Sequence, residues 1–211
     1  MNWKQGEHVA LIGQTGCGKT TLARELLKLR GYVLCLITKP DMILWPGRWA
    51  RVSRVKDIDL SENTRFILRP EYAHQQEEIG RGLLSAWGQG GWTLYIDELY
   101  YLEQQLRLED QVVQLLTQGR SLNITVVLGM QRPAWVTRFA LSEPTHIFCA
   151  KLGDQRDAQV IKSIIGSEYL EAVQTVGWHK FVYLNKISAE QTIVDKTSIV
   201  KLFTGGVSYG V

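Results

Sequence analysis

One short stretch, GQTGCGKTT, constrains the fold of this chain more than any other. It runs from Gly13 to Thr21, between the apolar run HVALIG and a segment, TTLARELLKLRG, whose apolar residues have helical spacing. It matches the phosphate-loop pattern Gly-x-x-x-x-Gly-Lys-Thr at a strand-to-helix junction, the context in which that pattern is specific. The stretch therefore predicts an α/β fold with a nucleotide-phosphate site near the front of the chain.

Each residue type in this loop has a chemical role in binding a nucleotide phosphate. Glycines let the backbone turn so that successive N–H groups point at a phosphate, and the positive end of the following helix adds to the attraction. The Lys19 ammonium can reach β- and γ-phosphate oxygens, and the Thr20 hydroxyl can ligate Mg²⁺. The alternative, a glycine-rich turn that binds nothing, is disfavoured by the agreement of pattern and context. We expect ATP to be bound by the whole loop: Gly13, Gln14, Thr15, Gly16, Cys17, Gly18, Lys19, Thr20 and Thr21.

An acidic pair ends a later apolar strand, WTLYIDE. Asp97 in this position is expected to hold the Mg²⁺ shell, and Glu98 to orient and polarise an attacking water. The alternative is that both carboxylates cap the helix that follows. Combined with the phosphate loop, the pair favours ATP hydrolysis over simple nucleotide binding.

Strand-like and helix-like segments alternate through the rest of the chain. This order predicts a mainly parallel central sheet flanked by helices, and we expect residues 1–211 to form a single domain. Apolar residues make up 45% and charged residues 21%, with no apolar run long enough for a membrane span and no secretory signal. The three cysteines form no CxxC pair, so a reducing, cytoplasmic setting is expected.

The segment QGRSLNITVVLGMQRP, residues 118–133, resembles the signature of the FtsK–HerA superfamily of P-loop ATPases. The resemblance implies a RecA-like fold of the additional-strand (ASCE) class, in which Gln131 senses the γ-phosphate or the attacking water. It also implies that Arg120 reaches across a subunit interface as a trans-acting finger, with Arg132 as the rival for that role. The alternative for Arg120 is a solvated residue at a helix C-terminus, favoured by the helix dipole.

The strand VLCLITKPD departs from the superfamily pattern, which often ends in D-P-K at this place. The aspartate is absent here, but Lys39 stands nearby. Two interpretations of Lys39 stay open: it faces the nucleotide, or it faces solvent at the end of a strand.

Within the superfamily, a motor core of this size most resembles small viral and phage DNA-packaging ATPases. That resemblance implies a homo-oligomeric ring that translocates double-stranded DNA in the host cytoplasm, with a portal or capsid protein as the docking partner. Secretion, conjugation and filamentous-phage assembly ATPases are the alternatives, followed by a non-motor nucleotide-binding protein or a kinase. Stimulation of ATP turnover by DNA discriminates between them.

Two further features have plainer explanations. WPGRWARVSRVK, residues 45–56, interleaves basic residues with tryptophans and could grip a phosphate backbone, but packed tryptophans with solvated charges are the favoured interpretation. His179 follows Trp178 and could act as a base; since Glu98 already fills that role, we interpret it as structural.

Overall fold

The computed structural model describes residues 3–39, 49–199 and 203, which form an α/β fold around one nine-stranded sheet. The strands are mostly short, apolar and buried, as the predicted runs require. They are β1 (Val9–Ile12), β2 (Val33–Leu36), β3 (Ala50–Val52), β4 (Arg65–Leu68), β5 (Thr93–Ile96), β6 (Thr125–Met130), β7 (His146–Cys149), β8 (Phe181–Asn185) and β9 (Glu190–Val194).

The strand order is β3-β4-β2-β5-β6-β1-β7-β8-β9. The strands from β3 to β7 in this order are parallel, and β8 and β9 extend the sheet as an antiparallel hairpin. Strand β6 lies between β1, which leads into the phosphate loop, and β5, which carries the acidic pair. The additional-strand architecture implied by the resemblance is therefore confirmed.

Helices cover both faces of the sheet because alternate strand residues point to opposite sides. Ala10 and Ile12 belong to one buried cluster, and Val9 and Leu11 belong to the other. Helix α1 packs on the second face, and the larger helices that follow pack on the first. The helices are α1 (Lys19–Leu27), α2 (Gln75–Gln89), α3 (Glu109–Gln118), α4 (Phe139–Ser142), α5 (Gln155–Ile164) and α6 (Ser167–Thr175).

The parallel arrangement brings the carboxyl ends of β1, β5 and β6 to one edge of the sheet, with β2 next to β5. In open α/β sheets this is the edge where ligands bind. The segments that follow these strands begin with the phosphate loop, Lys39, the acidic pair and Gln131. No helix within the described ranges has the length and apolar character needed to cross a membrane.

Candidate functional site

The phosphate loop takes a conformation that depends on its glycines. Gly18 precedes helix α1 with φ of 102°, and Gly16 has φ of 82°, both in the region that side-chain-bearing residues rarely adopt. Cys17 is buried, and a Cβ added to Gly13 would lie 2.7 Å from its Sγ. The Cys17 side chain therefore packs beneath the loop, and its backbone N–H donates to the Gln14 carbonyl oxygen at 3.3 Å.

Lys19, the first residue of α1, is folded back over the loop. Its Nζ donates hydrogen bonds to the carbonyl oxygens of Gly13, at 2.6 Å, and Gln14, at 3.0 Å. Burial lowers the pKa of Lys19 from its ordinary value. A partly desolvated ammonium held at the loop is well placed to pair with phosphate oxygens.

Thr20 and Asp97 meet across the gap between α1 and β5. The Thr20 hydroxyl donates to Asp97 Oδ1 at 3.0 Å, and the buried Tyr95 hydroxyl donates to the same oxygen at 2.6 Å. Burial raises the pKa of Tyr95 well above its ordinary value, so this phenol stays a donor. Tyr95, which sequence reasoning did not single out, orients the carboxylate that is expected at the metal.

The Thr20 hydroxyl and the Asp97 carboxylate are hard oxygen ligands of the kind that Mg²⁺ prefers. Among the described residues, no group of three or more His, Cys, Asp or Glu side chains could hold a metal ion by itself. This donor set fits Mg²⁺, which keeps several waters and binds nucleotide phosphates beside one or two protein ligands.

Gln131 links the loop to the acidic pair. Thr15 donates from Oγ1 to Gln131 Oε1 at 2.7 Å, and Gln131 Nε2 donates to Glu98 Oε2. The amide thus uses both its donor and its acceptor at the carboxyl end of β6. The structure thus places Gln131 and Glu98 together beside the phosphate loop.

Lys39 pairs with the acidic residues, although 45% of its side chain remains exposed. Its Nζ lies 3.0 Å from Glu98 Oε2 and 3.6 Å from Asp97 Oδ2. Burial lowers the pKa of Lys39, but the two carboxylates outweigh that effect and raise it overall. Of the two interpretations left open by the sequence, the structure favours the one that places Lys39 in the site.

The two candidate arginines lie in different surroundings. Arg120 is exposed in the turn Gly119–Leu122, which leads into the amino end of β6, so it lies at the edge of the sheet opposite the phosphate loop. Arg132 lies near the loop, but its guanidinium pairs with Asp154 and Asp157, each at 2.7 Å. It also stacks 4.2 Å from the centroid of the Trp135 ring. Arg132 is therefore bound within its own chain, whereas Arg120 does not contact its own phosphate loop.

The basic–aromatic segment is only partly described. Trp49 is 5% exposed, which agrees with a packed tryptophan, and Arg51 is exposed on the edge strand β3. Trp45 and Arg48, the other residues at the start of that segment, lie outside the described residues.

A cavity of about 670 Å³ lies against the phosphate loop and extends beyond it. Besides the loop, its walls include Trp178 and His179 before β8 and the turn from Asp195 to Thr197 after β9. Sequence reasoning interpreted His179 as structural and did not assign Trp178 a role. No local pattern marks either residue, since the antiparallel return of β8 alongside β7 is what brings them to the site.

Comparisons with known proteins agree with this geometry. No protein-family model matches the chain. The DNA packaging ATPase P9 of Enterobacteria phage PRD1 is 28% identical over 169 residues, which cover 75% of this chain and 70% of P9.

Solved structures show the same fold. The genome packaging NTPase B204 of Sulfolobus turreted icosahedral virus 2, in complex with sulfate, matches with a TM-score of 0.73 and 18% identity over 90% of this chain and 96% of B204. The pCW3 conjugation coupling protein TcpA matches with a TM-score of 0.54 and 17% identity over 94% of this chain and 65% of TcpA. The chain is thus similar in sequence to the DNA packaging ATPase P9, and it shares the fold of B204 and TcpA.

Proposed function

We propose that this chain is a magnesium-dependent ATPase that drives the packaging of double-stranded DNA into a viral capsid. The observation that carries the proposal is the chain of contacts from Thr15 through Gln131 to Glu98, beside a phosphate loop with its lysine in place. A simple phosphate-binding protein has no need of an acid held by a sensor amide. The similarity to the packaging ATPase P9 supports DNA packaging as the use of the hydrolysis energy.

ATP is the proposed nucleotide. B204 structures contain ATP-gammaS and AMPPCP, which are ATP analogues, and the fold of that protein matches this one. In this chain the loop N–H groups and Lys19 would bind the phosphates, with Thr20 and Asp97 holding Mg²⁺. The ion would neutralise charge on the phosphate oxygens.

Glu98 is proposed to accept a hydrogen bond from the attacking water and to act as the general base that takes its proton. Gln131 holds Glu98 on one side and contacts the phosphate loop through Thr15, so it can report the state of the γ-phosphate to the acid. Lys39 Nζ lies 3.0 Å from the same carboxylate oxygen, Oε2, and supplies positive charge there. These contacts fix the direction in which Glu98 presents its oxygens before any substrate reacts.

A ring assembly is proposed because Arg120 lies at the edge of the sheet opposite its own phosphate loop, where it does not reach its own ATP site. In a head-to-tail ring the surface of one subunit that carries Arg120 can meet the phosphate edge of the next. We propose that residues 1–211 act as one motor domain in the host cytoplasm, with double-stranded DNA in the ring and a portal or capsid protein as the docking partner. The fold match to TcpA keeps DNA transfer by a conjugation-type motor as the second candidate.

Two substitutions separate nucleotide binding from hydrolysis. Lys19→Ala removes the cation at the phosphates, so we expect weaker ATP binding and turnover below about 1% of the wild-type rate. Glu98→Gln keeps the shape of the side chain but removes its basicity, so ATP binding is retained while turnover falls by about 10²–10⁴-fold. Binding is measured by calorimetry with Mg²⁺ present, and turnover by phosphate release.

Matched controls are Lys28→Ala and Glu77→Gln, which alter exposed charges in surface ion pairs and should leave both quantities unchanged. Wild-type turnover in the Glu98→Gln protein would remove Glu98 from the mechanism. Failure of the wild-type protein to bind or hydrolyse ATP would overturn the proposed function.

A further inference from the structure

The cavity beside the phosphate loop is larger than a phosphate site requires. Its volume of about 670 Å³ falls in the range of sites that enclose whole small molecules. The loop forms one side, and the far side is formed by the Trp178–Phe181 segment and the turn from Asp195 to Thr197. The far side contains the feature that the phosphate chemistry leaves unexplained, an exposed tryptophan.

Trp178 lines this cavity with its side chain largely open. The residue is 63% exposed, although the indole is the largest apolar side chain and is highly buried on average. Its ring meets the His179 ring edge-on, with centroids 5.4 Å apart and an interplanar angle of 63°. An indole that is supported by one neighbouring ring and is otherwise largely exposed can stack against a planar ring.

His179 connects this tryptophan to the phosphate loop. Its Nδ1 lies 3.4 Å from the Cys17 carbonyl oxygen. The same ring nitrogen would lie 3.7 Å from a Cβ added to Gly18. The His179 backbone has φ of 58°, a conformation uncommon for a residue with a side chain. Such strain persists where surrounding contacts fix the residue, and it clusters at ligand sites.

The turn that follows β9 also lines the cavity. Asp195 Oδ1 accepts hydrogen bonds from the backbone N–H groups of Thr197, at 2.8 Å, and Ser198, at 2.9 Å. These contacts hold Lys196 and Thr197 at the cavity. Because β8 and β9 pair antiparallel, this turn lies beside the segment that carries the tryptophan, and both line the cavity together with the phosphate loop.

We infer that Trp178 is the stacking platform for the base of the bound nucleotide and that His179 positions it against the phosphate loop. This inference rests on the proposed function, because it assigns the base end of the nucleotide whose phosphates the loop binds. Stacking on an aromatic face is tolerant of base identity, since every base has a π-face. The affinity for GTP should therefore depend on Trp178 in the same way as the affinity for ATP.

The test compares ATP with tripolyphosphate, which has the phosphates but no base, each measured by calorimetry with Mg²⁺. Trp178→Ala should weaken ATP and GTP binding by about 10- to 100-fold, the range for loss of one base stack. It should leave tripolyphosphate binding within about two-fold, and Trp178→Phe should restore most of the ATP affinity. Tyr72→Ala, which removes an aromatic side chain 85% exposed and outside the cavity lining, is the control and should change neither ligand.

The outcomes separate this inference from the proposed function. Unchanged ATP affinity in Trp178→Ala overturns the inference while leaving the ATPase intact, as does an equal loss of ATP and tripolyphosphate. If the wild-type protein binds neither ligand, the proposed function itself fails.

The positioning role of His179 has its own readout. His179→Ala should weaken ATP binding in the wild-type background but add no further loss in the Trp178→Ala background, because its effect acts through the indole. Additive losses in the double variant would show that His179 contacts the nucleotide independently and would overturn its positioning role.

Discussion

At the scale of single residues, Glu98 is the side chain whose surroundings matter most. Its carboxylate receives a hydrogen bond from Gln131 and pairs with Lys39, while its neighbour Asp97 is oriented by Thr20 and Tyr95. The two neighbouring carboxylates therefore have different hydrogen-bond partners, which suits each of them to a different role. The backbone that carries both acids must also lie close to β6, and one glycine allows that approach.

Gly129 of β6 lies against the end of β5, where the acidic pair begins. A Cβ at this position would lie 2.5 Å from the Asp97 carbonyl oxygen, closer than real Cβ contacts come. Because a backbone atom cannot swing aside, Gly129→Ala should displace Asp97 and destabilise the fold by about 1–3 kcal/mol. We expect ATP turnover to fall together with the free energy of unfolding, measured by denaturant titration.

The matched control for that substitution is Gly88→Ala in helix α2. A Cβ there meets no atom within 4 Å, and alanine has the better helix propensity, so this change should stabilise by about 0.5–1 kcal/mol. If both alanine variants were equally stable and active, the close approach of β6 to Asp97 would have no structural importance.

At the scale of secondary-structure elements, the segment after the acidic pair is unusual. Residues Tyr101–Gln105 form a π-helix, a form found mostly as short insertions that are frequent at functional sites. Glu103 in this turn accepts a hydrogen bond from the Thr137 N–H at 3.0 Å through Oε2. Its Oε1 has no hydrogen-bond partner within the part of the chain that the structure describes. The π-helix is thereby joined to the segment that follows Gln131.

Glu103 makes the stability of this element dependent on pH. Burial raises the pKa of Glu103 from 4.5 to about 7, so between these values the folded protein keeps a proton that the unfolded chain has released. Stability from this group is therefore present below about pH 4.5 and is lost as pH rises through about 7. Glu103→Gln carries no charge, so relative to wild type it should gain on the order of 1–3 kcal/mol between pH 5 and pH 8.

The measurement is the difference in unfolding free energy between wild type and Glu103→Gln across that pH range. Taking the difference cancels the other titrating groups. Glu109 is the neighbouring acid that adds to the shift, and Glu109→Gln should reduce the pH dependence without removing it. A constant difference at all pH values would mean that the pKa of Glu103 is the same in the folded and the unfolded protein.

Much of the element pattern could be predicted from the sequence, for physical reasons. Buried parallel strands appear as short apolar runs, and the phosphate loop and acidic pair are local patterns tied to local chemistry. The resemblance carried by residues 118–133 added Gln131. The π-helix was not predicted, because that segment has the spacing of an ordinary amphipathic helix. Tyr95 was missed although it stands two residues before Asp97, the spacing that puts two strand residues on one face. Trp178 was missed because only the pairing of β8 with β7 brings it to the site.

At the scale of the whole molecule, the central question is whether one chain completes the site of another, as the proposed ring requires. The single chain places Lys19, Thr20, Asp97, Glu98 and Gln131 at one edge and Arg120 at the other. Arg132, its rival, already pairs with Asp154 and Asp157. The arrangement favours Arg120 as the residue supplied to a neighbouring subunit.

Mixing experiments test this assignment. Arg120→Ala alone should lose about 10³-fold or more in turnover, the usual effect of a missing trans arginine. When it is mixed with wild-type protein, activity should fall more steeply than in proportion to the fraction of variant. Arg81→Ala, which changes an arginine with a 60% exposed side chain on helix α2, is the control and should leave activity unchanged. A strictly proportional fall with Arg120→Ala would instead leave Arg120 a structural residue of its own chain.

The most direct test of the central claim is the rate of ATP hydrolysis measured against double-stranded DNA concentration at low salt and high protein concentration. We expect the rate to rise several-fold with double-stranded DNA in the wild-type protein and to stay at background in Glu98→Gln. A wild-type rate that is the same with and without DNA under these conditions would contradict a DNA-packaging motor.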